Sequence, residues 1–164
     1  MAILDWIQNL RLSTSIAESD SLWWGYAWWL FVHAVGMGLT AGLGFIICLR
    51  VLGVGGKIPL SSFRVLFRLF WFGFYINLLS GTLLFMTDAT GIARVWQLYA
   101  KLVCLGFALL VMSRLRTFVE SDASDGAVPP RVKQLAYACI VLWLAVITSG
   151  RLIAYAVEAK GATV

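Results

Sequence analysis

Charge is what this sequence has least of. Only 13% of its 164 residues are Asp, Glu, Lys or Arg, about half the share of a soluble domain. That excludes a self-standing water-soluble domain of any size. Histidine occurs once, as His33, so HExxH and multi-histidine metal centres are excluded. Nothing resembles a hydrolytic triad, since His33 falls mid-membrane with no acid near it in sequence. The three cysteines, Cys48, Cys104 and Cys139, form no CxxC, no CxxCH and no zinc spacing. Each sits in an apolar run and reads as a small buried hydrophobe. Walker and EF-hand patterns are absent. The basic residues make no stripe with interleaved aromatics, which argues against nucleic acid. The first twenty residues carry Asp5, Glu18 and Asp20 against Arg11 and lack the apolar core of a cleavable signal.

What the chain has instead is long apolar runs. Hydrophobic residues make up 61% of it, and mean hydropathy is +0.87. From Ser21 to Leu49 no charged residue occurs, and about 20 apolar residues suffice to cross hydrocarbon. Trp23, Trp24, Tyr26, Trp28 and Trp29 crowd the start of that run, where an aromatic belt belongs. Gly53, Gly55, Gly56 and Pro59 break the helix after it. The expectation is an all-α, integral membrane four-helix bundle in a single domain. Its spans fall at about 22–49, 69–87, 95–113 and 134–155. The hydrophilic stretch 114–133, with Pro129 and Pro130 as a breaker, separates the last two. Ile3, Ile7 and Leu10 on one face predict a short N-terminal helix lying in the membrane interface.

Orientation follows from Lys and Arg. Arg50, Lys57, Arg64 and Arg68 fall in one loop, and Arg114, Arg116, Arg131 and Lys133 in another. These eight face four on the other side: Arg11, Arg94, Arg151 and Lys160. The positive-inside rule then favours both loops in the cytoplasm and both termini in the periplasm or exterior.

His33 falls near the middle of the first span, and an ionisable group there marks function by default. Neutral imidazole is a natural haem ligand. His33, Gly36, Thr40 and Gly44 share one helical face, and the small residues would leave room there for a flat macrocycle. The competing reading is plain packing. Ala34, Gly38 and Gly42 form a small-residue stripe, and His33 can simply hydrogen-bond a neighbouring helix. Haem b would need a sixth ligand, for which Met37, Met86, Met112, a second protomer or a partner are the candidates. Asn77 sits near mid-membrane in the second span and needs a partner. It serves as interhelical glue or as part of a polar pocket with His33. Lys101 and Arg151, with Asp88, fall at one depth in the outer half. They either snorkel to the interface or share an anion site for haem propionates or a quinone headgroup.

Five segments appear in order along the chain. They are Leu30-Phe31-Val32-His33-Ala34-Val35-Gly36, Leu49-Arg50-Val51-Leu52-Gly53, Ser80-Gly81-Thr82-Leu83-Leu84-Phe85, Lys101-Leu102, and Gly150-Arg151-Leu152-Ile153-Ala154-Tyr155. In this pattern the chain resembles a family of small four-helix bacterial inner-membrane proteins of unknown function. The resemblance covers roughly 22–155. It implies a four-helix membrane fold and groups His33, Lys101 and Arg151 as a set, but it implies no activity. At the level of fold the design also looks like small cytochrome b proteins.

Two functions follow as expectations. One is a redox component that binds haem b or quinone through His33, Gly36, Thr40, Gly44, Asn77, Lys101 and Arg151, with His33 as the metal ligand, and passes electrons to a partner. The other is a structural or assembly subunit of a membrane complex or homo-oligomer. A transporter is disfavoured, because inverted repeats with broken helices are not evident.

Overall fold

A computed structural model describes residues 2–121 and 127–161, with side chains through 159. Among the described residues there is no strand. Two short helices, α1 (Ala2–Gln8) and α2 (Arg11–Ala17), precede α3 (Tyr26–Val51). A 3-10 turn, Leu60–Phe63, leads into α4 (Arg64–Thr87). The one-turn α5 (Ala89–Ile92), then α6 (Trp96–Glu120) and α7 (Pro130–Gly161), complete the chain. The four long helices are each long and apolar enough to cross a membrane, as a multi-pass membrane protein requires.

The helix ends differ from expectation for physical reasons. α4 begins at Arg64 rather than near 69, and α6 continues to Glu120 rather than stopping near 113. Arginine stems extend along a helix while their heads reach water, so a helix outruns its apolar stretch. Arg116 and Glu120 support the last turn of α6 as an i,i+4 ion pair at 2.8 Å. Pro130 starts α7 instead of breaking a helix. At the first helical position the missing N–H has no intrahelical partner to lose. The Pro129 carbonyl accepts from the amides of Val132 and Lys133. α3 ends where Gly53 takes a left-handed conformation at φ 108° and Val54 N–H returns to Leu49 O.

The single N-terminal helix expected is two. Asn9 Nδ2 donates to Asp5 O at 2.7 Å, and this local bond competes with helix continuation. The pair docks on the bundle end. Ile16 and Ser13 are buried, and Ser13 Oγ donates to Met86 O at 2.7 Å. Thr90 Oγ1 donates to Gln8 Oε1 at 2.8 Å. Ile3 and Trp6 remain 74% and 65% exposed, so the outer face of α1 stays apolar.

α3 packs along α4, α6 along α7, and the two pairs join mainly through α3 and α7. α4 and α6 barely touch. The apolar core lies at one end of the bundle. There Ile47, Phe67, Phe70, Met112, Leu115 and Trp143 are all buried together, and the Phe70 and Trp143 rings meet edge to face at 5.9 Å. The opposite end is less filled, and the candidate site lies there.

Close approach of α3 and α4 depends on glycine. A Cβ on Gly73 would stand 2.6 Å from Leu39 Cβ and 3.1 Å from Thr40 N, so the helices would have to part. Gly38 meets nothing within 4 Å. Gly73→Ala is therefore expected to destabilise by about 1–3 kcal/mol, whereas Gly38→Ala leaves stability unchanged. Thermal unfolding of both variants in detergent checks the contrast.

Candidate functional site

His33 is held by a reciprocal pair of bonds across the α3–α4 seam. Asn77 Nδ2 donates to His33 O at 2.9 Å. His33 Nδ1 lies 3.1 Å from both Asn77 O and Ser80 Oγ. Ser80 Oγ donates back along its own helix to Ile76 O at 2.7 Å. A carbonyl oxygen only accepts, so Nδ1 carries the proton. In the neutral imidazole Nε2 then holds the lone pair. Nε2 has no hydrogen-bond partner among the described residues.

Glycines bring the helices close enough for these bonds. A Cβ on Gly36 would stand 2.8 Å from Asn77 N, and one on Gly81 would stand 2.9 Å from His33 Cε1. The Cε1–Nδ1 edge of the imidazole therefore lies against Gly81.

Two hollows meet at this ring. One, of about 420 Å³, is lined by His33, Lys101, Asp88 and Glu158, with Tyr26 at the start of α3. The other, of about 260 Å³, lies between α4 and α6 and is lined by His33, Asn77, Phe74, Lys101 and Leu105. Leu78 and Leu102 on its walls are 51% and 53% exposed, so it opens sideways through the apolar surface of the bundle. His33, Gly81, Phe85, Leu98 and Lys101 line both. Lys101 reaches across α7, where a Cβ on Gly150 would stand 3.3 Å from its Nζ. It makes no hydrogen bond or ion pair with any other described residue. Asp88 Oδ1 accepts from Gly91 N–H at 3.1 Å and so caps α5.

The expected site thus divides. His33, Asn77 and Lys101 come together. Arg151 does not join them: it is exposed, with its guanidinium over the Tyr155 ring at 5.4 Å and Nη2 near Tyr155 Oη at 3.4 Å. Nor does the Gly36, Thr40 and Gly44 face leave a groove for a macrocycle. Asn77 backbone occupies the space at Gly36, and Thr40 is buried against Gly73 with Oγ1 donating to Gly36 O at 2.7 Å. The Trp143 indole fills Gly44, its Nε1 2.8 Å from where a Cβ would stand. Met37, Met86 and Met112 line neither hollow. No cluster of three or more His, Cys, Asp or Glu side chains suited to a metal occurs among the described residues.

Glu158 is the site residue that sequence reasoning missed. Gly150, Ala154 and Glu158 recur at i, i+4 and i+8 on the face of α7 that lines the hollow, one position away from the Arg151 face. That spacing was the available signal.

Fold and site together define a helical bundle with its buried apolar core at one end and the hollows around His33 and Lys101 at the other. No family model matches the chain, and no curated protein or solved structure matches it either.

The bonds set the expected cost of substitution. Asn77→Ala removes an interhelical clasp and should destabilise by roughly 0.6–1.7 kcal/mol. Lys101→Met has no bond to lose and relieves an unpaired partly buried cation. It is expected to unfold at or above the wild-type temperature. Thermal melts in one detergent compare the two.

Proposed function

We propose that the chain is a redox component of a bacterial inner membrane that binds a quinone or quinol headgroup in the cleft between α4 and α6. The observation that carries this reading is that His33 and Lys101 both line the laterally open cleft, while His33 Nε2 and Lys101 Nζ have no bond to another described residue. A quinol enters from the hydrocarbon with its tail outward. One hydroxyl donates to His33 Nε2, and the Lys101 ammonium donates to the second oxygen. Oxidation of the quinol to the quinone releases two protons and two electrons. His33 takes one proton at Nε2, and the second leaves through the adjoining hollow, where the Asp88 and Glu158 carboxylates lead protons toward water. The two electrons pass singly to a one-electron carrier on a partner protein, two equivalents of which are reduced per quinol. The Lys/Arg asymmetry favours both termini in the periplasm and the cleft in the outer half of the bilayer.

A second reading keeps the same residue. The Nδ1–H bond to a backbone carbonyl is the arrangement that orients metal-bound histidines. Haem b ligated at Nε2 fits it, with the sixth ligand from a second copy or a partner subunit. The structural-subunit alternative draws on the outer face of α3, where Cβ atoms on Gly38 and Gly42 would meet nothing within 4 Å.

A short-tailed quinone and equilibrium dialysis of the detergent-solubilised full chain test the proposal. Saturable binding is expected in the wild type, lost in His33→Ala and Lys101→Met and kept in Arg151→Gln. Absent binding in the wild type, or an equal loss in Arg151→Gln, contradicts it. A b-type reduced-minus-oxidised spectrum of the purified protein would instead favour haem.

A further inference from the structure

The α4–α6 seam has a second opening at the packed end of the bundle. It encloses about 920 Å³, with Arg64 and Arg68 of α4 and Arg116 and Glu120 of α6 on its lining. Three guanidiniums face one carboxylate, and that carboxylate is already engaged with Arg116 at 2.8 Å. Arg64 is aimed by its bond from Nε to Val119 O at 3.2 Å. Arg68 is exposed and bonds to no described residue.

Below these charges, on the same stretch of α4, Trp71, Phe72 and Tyr75 continue the lining. Arg68 and Tyr75 are two turns apart, about 10 Å along the axis. Phe72 and Tyr75 are 60% and 62% exposed. The groove is therefore cationic at one end and aromatic along its length, the polarity of a lipid molecule. A free anion would use only the first part.

We propose that this groove binds an anionic phospholipid, its phosphate held by Arg64, Arg68 and Arg116 and its acyl chains laid along the α4 aromatics. Guanidinium forks match phosphate oxygens, and basic pockets between membrane helices select acidic headgroups. The basic loops put this end in the cytoplasmic leaflet, where acidic lipids concentrate. The inference rests on the multi-pass membrane reading and not on the quinone cleft at the other end.

The test is native mass spectrometry and thermal unfolding of the full chain in detergent. Phosphatidylglycerol, phosphatidylcholine with the same acyl chains, and inorganic phosphate are added separately. Phosphatidylglycerol is expected to stay bound and raise the unfolding temperature, and the other two are not. Arg68→Gln, which breaks no bond in the structure, should weaken retention about fivefold. Arg131→Gln, at the same end but outside the groove, should leave it unchanged. Equal retention of both lipids overturns the proposal. So does the same stabilisation by phosphate alone, or an equal loss in Arg131→Gln.

Discussion

Hydrocarbon offers no hydrogen bonds, so a polar group carried into it has to be answered by the protein. The His33–Asn77 clasp is where this chain meets that demand. Each residue answers the other's backbone carbonyl, Asn77 through its amide and His33 through Nδ1. The arrangement satisfies one ring nitrogen and leaves the other with no partner. It also needs the two helix backbones nearly in contact, which is what Gly36, Gly73 and Gly81 permit. The polar site and the tight α3–α4 packing are thus one feature, since bulk at any of these glycines would disturb both.

The rest of the bundle follows from uneven filling. Large side chains form the core at one end, with Phe67, Phe70 and Trp143 at its centre. At the other end glycines face His33 and Lys101, and the space stays open. Because α4 and α6 are not drawn together, the seam between them is accessible from the side at both ends. One opening is lined by His33 and Lys101, the other by Arg64, Arg68 and Arg116. The cations on this seam lie at separate depths, with an aromatic and aliphatic wall between them.

The fold was legible because hydropathy alone specifies spans: uncharged runs of such length have one stable conformation in hydrocarbon. Helix ends were less legible, since Arg64, Arg116 and Pro130 read as loop residues by composition yet lie inside helices. His33, Asn77 and Lys101 were legible as polar intrusions in apolar runs. Which of them meet was not, because that depends on helix rotation. A rotation of one residue separates Gly150, which faces Lys101, from Arg151, which faces outward. The same reasoning misread Gly36 and Gly44. A small residue on a helix signals that something approaches closely, and here the approaching groups are Asn77 and Trp143 rather than a ligand.

Since His33 is the chain's single histidine, its ring nitrogens can be observed without assignment ambiguity. Nitrogen-15 NMR of histidine-labelled protein in lipid bilayers reads the tautomer directly. A protonated Nδ1 with a bare Nε2, whose signal moves when quinol is added, is the predicted result. A proton on Nε2 with Nδ1 bare would contradict the clasp, and with it the site built upon it.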